Sequence, residues 1–125
     1  MLPKFFRSTL LLAVVASGSA WATPFEAKEF DALNQEGRAI LVDVHADWCP
    51  TCKTQDAIVS ALLKTAEFKG ITALRVDFDK QKDVLKRFKV MYQSTLIVFK
   101  GGKEVGRSTG DTQKDSLSAL LKKAI

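Results

Sequence analysis

The stretch AILVDV (39–44) constrains this chain most. It is a near-continuous apolar run of strand length with one acid, Asp43, inside it. Such a run suits a strand buried on both faces, as in a parallel sheet covered by helices. It leads straight into ADWCPTCK (46–53), which holds the only two cysteines, Cys49 and Cys52.

The remaining patterns extend that sheet. Phe30 and Leu33, among charged residues, predict a short helix within 23–36 that ends at Gly37. After the cysteines, Ala57, Ile58, Ala61, Leu62 and Ala66 recur at helical spacing up to Gly70. ITALRVDF (71–78) alternates, with Leu74, Val76 and Phe78 on one face, and reads as a second strand. Residues 80–89 predict a helix with Val84, Leu85 and Phe88 inward. TLIVFK (95–100) is a third buried strand. Gly101-Gly102 is a two-residue hairpin signal, and KEVGRS (103–108) returns as an edge strand. Asp111 or Thr112 is the expected cap of a last helix carrying Leu117, Leu120, Leu121 and Ala124. Strand, helix, strand in this order favours a right-handed parallel unit. The expected architecture is one three-layer α/β domain, a mixed sheet with helices on both faces.

The N-terminus reads differently. MLPKFFR carries Lys4 and Arg7 and no acid, an uncharged apolar run follows, and AWA (20–22) has small residues at both ends. That is the pattern of a secretory signal peptide over residues 1–22, with the domain spanning 23–125. The apolar run is shorter than the ~20 residues that cross a bilayer as a helix. Its removal takes two of the 19 basic residues and none of the 14 acids, which leaves a net charge of +3. So mild a charge, with no nucleic-acid motif, argues against a nucleic-acid partner. The expected localisation is periplasmic or secreted.

Export bears on the cysteines. A bridge between Cys49 and Cys52 closes a very short loop and removes little entropy from the unfolded chain. It is poorly suited to stapling a fold and better suited to being made and broken. Catalytic groups in open α/β sheets gather beyond the carboxyl ends of strands. Cys49 follows such a strand and opens a helix, where the helix dipole and unpaired N–H groups favour thiolate. Pro50 fits the first helical position. The roles that follow are nucleophile for Cys49 and resolving thiol for Cys52, one turn further in and more shielded.

LVDVHADWCPTCK (41–53) resembles the active-site segment of the thioredoxin family, with its strand aspartate and its Trp-Cys-x-x-Cys-Lys core. RVDFD (75–79) resembles that family's central strand and TLIVFKGGKEV (95–105) its terminal hairpin; Gly110 and the last helix also fall where the family has them. The resemblance covers about residues 25–125. It implies a thioredoxin fold with a central mixed sheet of four to five strands. It also implies a role for Asp43 as proton donor and acceptor toward Cys52, with Arg75 beside it; a structural acid–base pair is the other reading of those two. Trp48, Pro50, Thr51 and Lys53 form the expected surroundings of the thiols. Gln93, Ser94 and Thr95 form the expected substrate-docking loop.

Two departures from the family pattern stand out. Ser94 occupies the position of a family cis-proline. A non-proline cis bond costs about 2.5–4 kcal/mol, so a trans Gln93–Ser94 bond is expected. His45, the only histidine, stands where many members have tryptophan, and is a candidate for tuning the thiolate.

The function expected is that of an exported protein-disulfide reductase. It works as a monomer on disulfide-containing exported proteins and is recharged by a membrane-embedded disulfide reductase. No metal and no small-molecule cofactor is expected. Pro50-Thr51 differs from the Gly-Pro of reducing thioredoxins, so donation of the disulfide to substrates is the main alternative. The absence of an inserted helical domain tips the balance toward reduction. A metal- or cluster-binding dimer is the remaining alternative. Two thiolates and His45 supply three ligands, where a structural zinc site takes four.

Overall fold

The computed structural model describes residues 21–125. Residues 1–20 of the expected leader therefore lie outside the described residues. Its last two residues lie inside: Ala22 is buried, and Trp21 packs beside it on the domain core.

Nine elements follow in order: β1 (Thr23–Pro24), α1 (Ala27–Gln35), β2 (Ile40–His45), α2 (Pro50–Leu63), β3 (Thr72–Asp77), α3 (Lys82–Phe88), β4 (Thr95–Lys100), β5 (Lys103–Thr109) and α4 (Lys114–Lys122). The five strands form one mixed sheet in the order β1-β3-β2-β4-β5. β1 and β2 lie parallel to β3, while β4 and β5 run antiparallel to their neighbours. Among residues 23–26, which the sequence assigns to the first helix, two form this extra edge strand. Pro24 cannot donate to a ladder, and an edge is where a sheet tolerates it.

The core divides into two layers because strand side chains alternate between faces. Leu41, Ala73, Leu96 and Val98 point to one side, where Val59 and Leu62 of α2 and Leu117, Leu120 and Leu121 of α4 cover them. Ile40, Val42, Val44, Leu74, Val76, Ile97 and Phe99 point to the other, under Phe30 of α1 and Val84, Leu85 and Phe88 of α3. Gly101 and Gly102 have φ of +61° and +81°, the left-handed pair that a two-residue hairpin between twisted strands requires.

Two helices differ from their sequence reading. α2 ends at Leu63, short of exposed Ala66, and does not bury Ala57 and Ala61, which are exposed; it buries Cys52, Gln55, Val59 and Leu62. A stripe of small residues mimicked the inward face, and a polar residue on the true face masked it. α4 starts at Lys114 with no side-chain cap; Asp111 instead accepts the Gln113 backbone N–H through its carboxylate, in the turn ahead of the helix.

At Gly106 the side chains of Leu120 and Lys123 press close against β5. A Cβ there would lie 3.1 Å from Leu120 Cδ1 and 3.0 Å from Lys123 Cδ. Gly106→Val is therefore expected to destabilise the domain by about 1–3 kcal/mol through overpacking, read as a lower denaturant midpoint at unchanged slope.

Candidate active site

β2 carries the chain up to His45, and Ala46, Asp47 and Trp48 turn it into α2. Cys49 is the N-cap of that helix, with extended backbone angles, and its Sγ accepts the Cys52 backbone N–H at 3.1 Å. A thiol here takes the place of the Ser or Asp oxygen that usually caps a helix. Pro50 stands at the first helical position, as expected. Pro50, Thr51 and Lys53 are exposed, and both cysteines are free thiols.

Both cysteine residues are only 1% exposed, so Cys52 is not the more shielded of the two by surface area. Their chemistry differs instead through hydrogen bonds. Burial works to raise the Cys49 thiol, but contacts from the Cys52 thiol, the Ser94 hydroxyl and the Cys52 backbone N–H outweigh it, and Cys49 ionises below its ordinary value. Burial and the neighbouring Cys49 push Cys52 up. One thiol is shifted toward thiolate and the other away from it, the division of labour that thiol–disulfide exchange needs.

Ser94 is the third member of this group. β4 runs antiparallel to β2, with Val44 opposite Thr95, so the residue just before β4 arrives beside the thiols. The Ser94 Oγ lies 3.3 Å from Cys49 Sγ and 2.9 Å from Cys52 Sγ. The Gln93–Ser94 bond is trans, with no cis peptide among the described residues, and Ser94 takes φ of +60°. Its N–H donates to the Val44 carbonyl at 2.8 Å, and its carbonyl accepts from Gly110 N–H and from Gln55 Nε2.

This reshapes the expected docking loop. Ser94 and Thr95 are buried, and Thr95 is tied through its hydroxyl to the Tyr92 carbonyl and to Thr109. Gln93 is half-buried, and the residues just before it, Met91 and Tyr92, are exposed. Trp48 is 58% exposed, and its Nε1 donates to Asp79 Oδ2 at 2.9 Å, which pins the ring over the site's rim.

Asp43 is 1% exposed and lies opposite Arg75 across the β2–β3 ladder. Arg75 Nε donates to its Oδ2 at 2.9 Å. Burial raises the Asp43 carboxyl to about 6, against the pull of Arg75 and with a push from Asp56. Arg75 also pairs with Asp56 on α2 at 2.9 Å. His45 joins the same group: Nδ1 is 3.3 Å from Asp56, and Nε2 is 3.0 Å from exposed Asp47. His45 is therefore drawn to carboxylates and not to the sulfurs. Among the described residues, the one cluster of three metal-binding side chains is Asp43, His45 and Asp56, without a cysteine. The guanidinium of Arg75 already neutralises two of those three. A ligand set of Cys49, Cys52 and His45 is thus not assembled.

Comparison with known proteins decides the family. The thioredoxin family model matches residues 22–123. The chain belongs to the thioredoxin family. It is similar to thioredoxin of Chlamydia trachomatis, with 42% identity over 84 residues, 67% of this chain and 80% of that protein. Among solved structures it is similar to Trxlp from Edwardsiella tarda, with a TM-score of 0.78 and 39% identity over 80% of this chain and 97% of that one. It is similar also to a thioredoxin from Nicotiana alata, with a TM-score of 0.72 and 28% identity over 87% and 96%. The thioredoxin fold is thereby established, as is thiol–disulfide oxidoreductase activity toward disulfide-containing proteins at a dithiol site.

Within this thioredoxin-family site, the sequence reading had missed Gln55, Asp56 and Asp79. Gln55 and Asp56 stand three and four residues after Cys52, the spacing of one helical face. That spacing was the available signal. Asp79 gave none, because its tie to Trp48 spans 31 residues.

Proposed function

We propose that this chain is an exported protein-disulfide reductase. Cys49 attacks a disulfide of another exported protein, Cys52 resolves the mixed disulfide, and a membrane-embedded disulfide reductase returns the electrons. The domain works as a monomer. The observation that carries the redox cycle is the asymmetry of the pair: a helix-capping Cys49 lowered toward thiolate beside a raised Cys52. Export is supported by the basic, then apolar, then small-residue order of residues 1–22. Reduction is supported by the single sheet, which no helical insertion interrupts among the described residues.

Donation of the disulfide is a second reading, favoured by the hydrogen bonds that shift Cys49 toward thiolate, since stabilising the reduced form makes a pair more oxidising. Equilibration of the purified protein with glutathione or dithiothreitol buffers separates the two. A reductase is expected near the roughly −270 mV of thioredoxin, and a value near −120 mV would reverse the direction. The intact mass of protein recovered from outside the cytoplasm tests export; a chain retaining residues 1–22 in the cytoplasm would sink that part.

A further inference from the structure

Ser94 brings to the thiols a group that proline lacks. One hydroxyl has a single proton to give and lone pairs with which to accept. With Cys49 as thiolate and Cys52 as thiol, both short contacts are satisfied at once: the Cys52 S–H donates to Ser94 Oγ, and the Ser94 O–H donates to Cys49 Sγ. Ser94 is 2% exposed, so water does not compete for that hydroxyl. A φ of +60° is strained for a non-glycine residue and persists only where the surroundings over-determine it. Here they do, through Val44 on the N–H side and Gly110 and Gln55 on the carbonyl side. Those hydrogen bonds fix the backbone so that the hydroxyl reaches both sulfurs.

We propose that Ser94 is a positioning residue for the redox pair, its hydroxyl bridging the two sulfurs in the dithiol state and so favouring that state over the disulfide. Its role rests on the redox reading of Cys49 and Cys52 and not on the direction of electron flow. On reduction, the Cys49–Cys52 bond breaks as an external dithiol delivers two electrons and closes to its own disulfide. One of that dithiol's protons goes to Cys52, the other leaves to solvent, and Cys49 stays a thiolate. The hydroxyl meets a full negative charge in the reduced pair only. A disulfide sulfur is uncharged and a weak acceptor, so oxidation removes the charge-assisted bond.

The test compares wild type, Ser94→Ala and Ser94→Gly in glutathione buffers, with the disulfide fraction read by alkylation and mass. Both variants are expected to favour the disulfide about tenfold more than wild type, a potential lower by about 30 mV. The thiolate absorbance of Cys49 should appear at higher pH in both. Alanine keeps the strained backbone and glycine relieves it, so the two differ in stability while their redox shifts agree. If one variant fails to fold, the other carries the measurement. Unmoved equilibria in the folded variants, or shifts that follow stability instead, would overturn the role of Ser94. A wild-type protein that forms no Cys49–Cys52 disulfide in any buffer would remove the redox reading as well.

Discussion

Cys49→Ser is expected to lower disulfide reduction by ~10³-fold or more while leaving the fold intact, the scale on which loss of a nucleophile acts. Serine retains the capping geometry, since its oxygen accepts a helix N–H at least as well as sulfur does. What it loses is a nucleophile that ionises more readily than an ordinary thiol. Cys49 is below its ordinary value because hydrogen bonds outweigh its burial, and no such balance makes a serine alkoxide. Cys52→Ser should behave differently. Cys49 still attacks, but no second thiol releases the product, so a covalent adduct with the substrate accumulates at Cys49. Turnover of a disulfide substrate and mass spectrometry of the quenched reaction check both variants. An adduct at Cys52 in the Cys49→Ser protein would exchange the two roles.

The buried carboxyl of Asp43 makes the protein less stable as pH rises. Its value is raised to about 6 in the folded state, against 3.8 for an unperturbed aspartate. Between those values the folded protein holds a proton that the unfolded chain has released, so stability falls with rising pH. The stability that Asp43 contributes is complete below pH 4 and is lost as pH climbs through 6. A shift of that size corresponds to about 3 kcal/mol at neutral pH. Asp43→Asn carries no charge at any pH and should remove this slope. Arg75 keeps its second carboxylate, Asp56, in that variant. Denaturant unfolding of both proteins at pH 4 and pH 7, with the cysteines held reduced, measures the change. Wild type should lose about 2 kcal/mol relative to Asp43→Asn over that interval, most of the full value. A constant difference would mean that Asp43 titrates alike in both states. The same substitution probes catalysis: slower resolution by Cys52 at unchanged attack by Cys49 would assign Asp43 the proton, whereas unaltered turnover leaves it the partner of Arg75.

Much of this molecule was legible in its sequence because the informative signals were local. The AILVDV run, the glycine pair at 101–102 and the leucines of the last helix each depend on residues within a few positions of one another. β4 falls on 95–100 as expected, and the hairpin turns at Gly101-Gly102. The cysteine spacing and Pro50 gave the nucleophile at a helix start. Local signals failed where a second face competed. Along α2 the alanines outlined a plausible apolar stripe, but helix–sheet packing selected the face bearing Cys52, Gln55, Val59 and Leu62.

By itself, then, the sequence determined the order of strands and helices after the first edge strand, the two-thiol pair and the acid within the buried strand, since periodicity and adjacency suffice for those. Only the tertiary structure decided what the pair feels. Ser94 lies 42 residues beyond Cys52 and reaches it through the antiparallel pairing of β2 with β4. His45 Nδ1 turns to Asp56 because α2 packs over that face of the sheet. Even the sign of the Cys49 shift is a contest between burial and hydrogen bonds. Each of these depends on distances between residues far apart in the chain, and such distances exist only once the chain has folded.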